Sequence, residues 1–165
     1  MTDPALSIAV DFIAAREGFR AVPYRDQGGV WTIGYGFTVT EDGKHVTADT
    51  PPTTQEAAYA RLEALVARVL ASVRPMLAVP VSLHAAAALV SMAYNCGTNA
   101  LRRSTLLEYV NKGDMAEAAK QFAAWVYVAG HVDQGLVNRR RMEAALFLMQ
   151  DVITAPAGLL VSQEQ

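Results

Sequence analysis

Five of the eleven glycines of this chain fall within one stretch, EGFRAVPYRDQGGVWTIGYGFT, running from Glu17 to Thr38. No helix runs through such a stretch, because each glycine costs a helix about 1 kcal/mol relative to alanine. Aromatic and β-branched residues around Gly28-Gly29 instead predict a small antiparallel hairpin or three-stranded sheet from Tyr24 to Val46, with a second turn at Asp42-Gly43. The chain on either side reads as helix. An irregular β-segment is therefore set into a helical protein, and the two parts must pack as distinct lobes.

The helices announce themselves by period and by caps. Leu6, Val10 and Ile13 mark one helical face, and the next member of that series is Glu17, followed at once by the helix-stopping Gly18. A carboxylate thus stands where the apolar stripe calls for a buried side chain. Thr53 with Glu56 forms a capping box for a long helix from Thr54 to Val73, before Pro75 and Pro80. Ser82 caps LHAAAALVSMAYN, which stops at Gly97. STLLEYVNKG reads as a short helix ending at Gly113, and Asp114 with Glu117 boxes MAEAAKQFAAWV. A glycine-bearing loop, AGHVDQG, leads to a last helix, LVNRRRMEAALFLMQ, and a frayed tail. The fold class is α+β, mainly α, in a single domain spanning 1–165. A β-lobe of about 18–50 is joined by a connecting helix, 54–73, to a helical lobe of about 1–17 and 75–152. Clefts between such lobes are common ligand sites.

At 165 residues the chain buries about two thirds of its unfolded surface, so it needs neither disulfide nor structural metal. Cys96 is alone, which excludes an internal disulfide framework and suits a reducing cytoplasm. Sixteen acids against fourteen Lys and Arg argue against a nucleic-acid binder. PALSIAVDFIAA is apolar but short, follows Asp3 and contains Asp11, so it reads as an amphipathic helix rather than a membrane span or secretion signal. His45, His84, His131 and Cys96 show no metal-ligand spacing.

Two carboxylates facing each other across a cleft are the minimum equipment for cutting a glycosidic bond. One donates a proton to the leaving oxygen, and the other stays ionised to activate water or to stabilise positive charge on the sugar. The apolar helix face around Glu17 suits the proton donor, and the polar turn of Arg25, Gln27 and Gly28 around Asp26 suits the anion. On an alternating strand Thr32, Gly34 and Gly36 share one face, a hydroxyl beside two positions open to a water or a sugar ring. Taken singly, these signals are bland. A Glu at a helix end is most often a solvated surface acid, Asp before Gly-Gly is turn chemistry, and the lone Gly-x-Gly is no phosphate loop. Arg139, Arg140 and Arg141 read as a solvated helix face with room for one inward Arg139. Trp125, Phe122 and Tyr94 read as core rather than sugar platforms, and Trp31 as facing the solvent side of the β-lobe.

The combination resembles the signature of the phage-type lysozymes, glycoside hydrolase family 24, in its lambdoid endolysin branch. That signature is a Glu, eight residues, an Asp or Cys, five residues and a Thr, as in Glu17, Asp26 and Thr32. TIGYG, NCGTNALRRSTLLEYVNKGDMAEAAKQFAAWVYVAG and GLVNRRRMEAALF extend the likeness from about Phe12 to Phe147. The resemblance implies a lysozyme-like fold and inverting hydrolysis of the β-1,4 bond between N-acetylmuramic acid and N-acetylglucosamine in peptidoglycan, for host cell lysis. It implies Glu17 as general acid, Asp26 as second carboxylate, Thr32 as holder of the attacking water and Arg139 as partner of the catalytic Glu. Gly34, Gly36, Thr38, Tyr94 and Thr105 would meet the glycan. It implies no metal or organic cofactor, and a monomer with neither nucleic acid nor stable membrane insertion. Such a chain is made in the cytoplasm and acts on the wall in the periplasm. A signal-anchor segment found in some relatives is absent, so access would need a holin-type lesion or delivery on a larger particle. Phe37 stands where the family often has His, and the balanced charge is unlike the basic members. The alternatives are a non-catalytic glycan-binding or phage-tail structural relative, or a different glycan-cleaving activity.

Overall fold

The protein is described by a computed structural model covering residues 3–26 and 28–151; the sequence tail read as frayed lies outside the described residues. The first helix, Pro4–Glu17 (α1), starts where the Asp3 carboxylate accepts the Ala5 amide at 3.0 Å and proline fills the first helical position. Ala5, Ala9, Val10 and Ile13 form its buried face. Gly18, at φ +68°, ends it by donating its amide to the Ala14 carbonyl.

Two antiparallel strands follow, Arg20–Arg25 (β1) and Trp31–Gly34 (β2), with Tyr24 opposite Thr32 and Arg25 opposite Trp31. Pairing begins at Arg20, earlier than the sequence pattern suggests, and is irregular between Arg20 and Tyr24. Pro23 lies in that span and has no amide to give to the ladder. In place of a third strand, single bridges join Ile33 to Phe37 and Val39 to His45. The strand face does not continue to Gly36. Gly34 (φ +66°) and Gly36 (φ +82°) turn the chain so that Ile33 and Phe37 exchange both backbone hydrogen bonds at 2.9 Å.

The connecting helix is Gln55–Val73 (α2), about 28 Å long at 1.5 Å per residue. Its cap is Thr54, whose hydroxyl accepts the Ala57 amide at 3.2 Å, one residue beyond the expected Thr53. Thr53 is held elsewhere: its amide donates to the Ala21 carbonyl at 2.8 Å and ties the returning chain to β1. Ala58, Leu62, Val66, Leu70 and Val73 bury one face of α2.

Leu83–Cys96 (α3) is capped by Ser82 and buries almost its whole middle, Ala87 to Ala93. A helix apolar all round belongs at the centre of its domain, and α3 packs against α1, α2 and the last helix. Three short helices follow: Thr98–Arg102 (α4), which the sequence reading did not separate, Thr105–Asn111 (α5) and Met115–Gln121 (α6), the last two capped by Ser104 and Asp114. The segment read as a plain loop carries a minimal hairpin, Tyr127–Val128 (β3) with His131–Val132 (β4), turned by Ala129 and Gly130 at positive φ. Asp133 then caps Gln134–Phe147 (α7). The result is a small β-lobe and a larger helical lobe joined by α2.

Candidate active site

Glu17 closes α1, and its side chain is 26% exposed. The apolar stripe of α1 therefore carries it to the edge of the core rather than into it. Its Oε1 accepts a hydrogen bond from Arg139 Nη1 of α7 at 2.8 Å. Its Oε2 lies 3.3 Å from the point where a side-chain carbon on Gly36 would stand. Glycine suits residue 36 for its positive φ, and a side-chain carbon there would press on that carboxylate. Glu17 thus sits between a residue of the β-lobe and one of the last helix.

Asp26 and Thr32 are fixed by one residue between them. Asp26 Oδ1 accepts the Val30 amide at 2.8 Å, and Thr32 Oγ1 donates to the Val30 carbonyl at 3.0 Å. The turn is closed again by Asp26 N to Val30 O and Gly29 N to Asp26 O. Arg25 clamps it from outside, donating to the Gly29 carbonyl at 2.7 Å while its guanidinium lies over the Trp31 ring. Among the described residues Asp26 Oδ2 has no partner. Thr32 is 3% exposed; its hydroxyl donates its proton to the Val30 carbonyl and keeps acceptor lone pairs. A carboxylate oxygen and an acceptor hydroxyl held on the same backbone residue are groups that could hold and deprotonate a water.

The other sequence candidates separate. Gly34 is buried, and a carbon added to it would meet the Phe37 ring at 2.9 Å and Ala58 at 3.3 Å. Its missing side chain serves the packing of the β-lobe on α2, not an open face for a sugar. Thr38 is exposed and accepts the Val46 amide through its carbonyl. Tyr94 of α3 is half-buried; burial first, then the charge of Glu17, pushes its hydroxyl above the ordinary tyrosine range, with Arg139 and Arg61 opposing. Thr105 begins α5 and is exposed.

Of the arginine run, Arg141 is exposed while Arg139 and Arg140 turn inward. Arg140 is 1% exposed and Glu143, which the sequence reading passed over, is 0% exposed. Glu143 Oε1 accepts from Ser91 Oγ at 2.7 Å and from Arg139 Nε at 3.2 Å. Arg140 Nη1 lies 3.1 Å from Oε2, but out of line for a hydrogen bond, so that contact is Coulombic. Arg140 also reaches Asn95 and the sulfurs of Met92 and Cys96. The available signal was spacing: Arg139 and Arg140 stand four and three residues before Glu143, within side-chain reach on a helix. Burial pushes the half-buried Cys96 thiol up, as suits an inert packing residue. Among the described residues no three His, Cys, Asp or Glu side chains converge on a metal site.

A family model described as phage lysozyme matches residues 14–143. The SAR-endolysin of Enterobacteria phage P21 is 35% identical over 132 residues, covering 80% of this chain and 77% of that protein. The endolysin of Escherichia coli O157:H7 phage FAHEc1 superposes with a TM-score of 0.76 at 34% identity, covering 89% of this chain and 92% of that one. A P22 lysozyme mutant superposes with a TM-score of 0.74 at 31% identity, covering 87% and 97%.

Proposed function

The chain belongs to the phage lysozyme family, and from that membership we propose how its own residues hydrolyse peptidoglycan. It is an endolysin-type glycoside hydrolase with the lysozyme-like fold of its structural neighbours. The bond assigned is the β-1,4 link from N-acetylmuramic acid to N-acetylglucosamine. Glu17 gives its proton to the bridging oxygen as that oxygen leaves the muramic carbon. A water on the opposite face of the ring, held by Thr32, attacks the same carbon and passes a proton to Asp26. The C–O electron pair goes to the leaving oxygen, and the net change is the addition of one water. Arg139 holds Glu17 in place, and Gly36, Thr38, Tyr94 and Thr105 are assigned to glycan contact.

One observation supports this division of labour: the Glu17 carboxylate stands between Arg139 and Gly36, while Asp26 and Thr32 are each hydrogen-bonded to the backbone of Val30. The lobe boundaries, 18–50 for the β-lobe and 1–17 with 75–152 for the helical lobe, belong to the same proposal. So do action as a monomer in the periplasm and access through a holin-type lesion. Among the described residues no helix is long and apolar enough to cross a membrane.

A muropeptide digest with wild type and Glu17→Gln tests the reading. Hydrolysis adds the mass of water to each product, and an anhydro-forming cleavage does not. The amide keeps the shape of Glu17 but has no acid proton, so the rate is expected to fall about 10²–10⁴-fold with the fold intact. A folded Glu17→Gln protein that digests at the wild-type rate removes Glu17 from the acid role.

A further inference from the structure

A buried cluster of charged and polar side chains lies behind Glu17. Arg139 is shared between two carboxylates: Nη1 donates to Glu17 at 2.8 Å and Nε to Glu143 at 3.2 Å. Nε and Nη1 are fixed in one plane, so anchoring Nε settles where Nη1 points. Glu143 is anchored in turn by the Ser91 hydroxyl of α3, the most central helix. A continuous path therefore runs from α3 through Ser91, Glu143 and Arg139 to Glu17. Burial alone pushes the Glu143 carboxyl up, and Arg140, Ser91 and Arg139 pull against it. A wholly buried acid with two arginines is costly to assemble. A plain apolar contact between α3 and α7 would pack this spot without it.

We propose that Glu143 is a positioning residue for the hydrolysis, fixing through Arg139 the rotamer in which Glu17 meets the scissile oxygen. The proposal rests on the reading of Glu17 as the acid. Its product is geometry rather than affinity, so its loss acts on turnover and leaves substrate binding alone. Small misplacements of a reacting group cost up to about 100-fold in rate.

The test measures kcat and KM separately on soluble peptidoglycan fragments of uniform length, with circular dichroism and thermal melting alongside. Glu143→Gln keeps the volume and an acceptor for Ser91 but removes the charge that orients Arg139. Its kcat is expected to fall roughly 10–100-fold with KM within about twofold. Where Arg140 left without its anion prevents folding, the double variant Glu143→Gln, Arg140→Met removes both charges and is read in the same way. Ser91→Ala keeps every charge, frees the far end of the path, and is expected to lower kcat several-fold. Wild-type kcat in the folded Glu143 variant, or a melting temperature that falls while kcat holds, overturns the proposal. A folded Glu17→Gln protein that turns over at the wild-type rate sinks the underlying acid assignment instead, so the two failures are told apart.

Discussion

Phe37 stands where the family often has histidine, and the Arg61 guanidinium lies 4.3 Å above its ring. The same arginine donates to the Val39 carbonyl at 2.7 Å. Arg61 belongs to α2, and Phe37 and Val39 to the β-lobe, so this pair fastens the lobe to the connecting helix. Beneath it, Gly34 leaves the space that the Phe37 ring fills. A cation over an aromatic face is worth about 0.5–1 kcal/mol at a partly open site. Neither an arginine nor a phenyl ring titrates near neutrality, whereas a histidine contact would. Phe37→Leu is therefore expected to lower stability by about 1–2 kcal/mol, from the lost cation–π contact and imperfect repacking. The loss should be the same at pH 5 and pH 8. Urea unfolding at both values checks it, and a loss confined to one of them would mean that some titrating group makes this joint.

At the scale of elements, α1 and α2 are joined at the β-lobe end by Tyr59, whose hydroxyl donates to Asp11 at 2.5 Å and whose ring meets Tyr35 edge-on. The bond to a carboxylate, with burial and the Asp11 charge, pushes the Tyr59 hydroxyl up to about 12. A group whose folded value lies above its unfolded value of about 10 stabilises the fold fully below the unfolded value. That contribution is lost as pH rises from about 10 towards 12. Tyr59→Phe lacks the hydroxyl and lacks the dependence, so the stability gap between wild type and variant should shrink from pH 9 to pH 11. A constant gap would mean that the bond contributes nothing. Elements of this kind were legible where a local signal coded them. The caps at Ser82 and Asp114 and the stop at Gly97 stand where the sequence puts them. The cap of α2 shifted because Thr53 and Thr54 offer the same hydroxyl, and only a contact with distant Ala21 chooses between them. The β3–β4 hairpin is two residues per strand, too short for any alternation to show. In the candidate site, Glu17, Asp26 and Thr32 were singled out through the family signature they resemble, their spacing alone being bland. Glu143 was not, since a Glu in an arginine-rich helix looks solvated until Ser91 and Arg140 are seen around it.

At the scale of the whole molecule the open question is the stereochemistry of the product. A retaining glycosidase brings its two carboxyl groups to about 5–5.5 Å so that one attacks the sugar; an inverting one leaves about 6.5–9.5 Å for a water. Here the two acids are anchored in different parts of the molecule. Glu17 is tied to α7 through Arg139, and Asp26 to its own turn through Val30. With Oδ1 accepting the Val30 amide and Arg25 bracing the turn over Trp31, Asp26 would have to give up these contacts to advance on an anomeric carbon. A nucleophile would need to make that advance, whereas a base acting through water does not. The Thr32 hydroxyl, its proton already given to the Val30 carbonyl, can only accept from such a water, which leaves the water's own lone pair for the sugar. Inversion at a β-linked carbon gives an α-anomer as first product. Rapid NMR or chromatography, ahead of mutarotation, is expected to show that α-anomer from wild type. Thr32→Ala should slow its appearance without changing its configuration. An initial β-anomer would make Asp26 a nucleophile and would require its turn to open during the reaction.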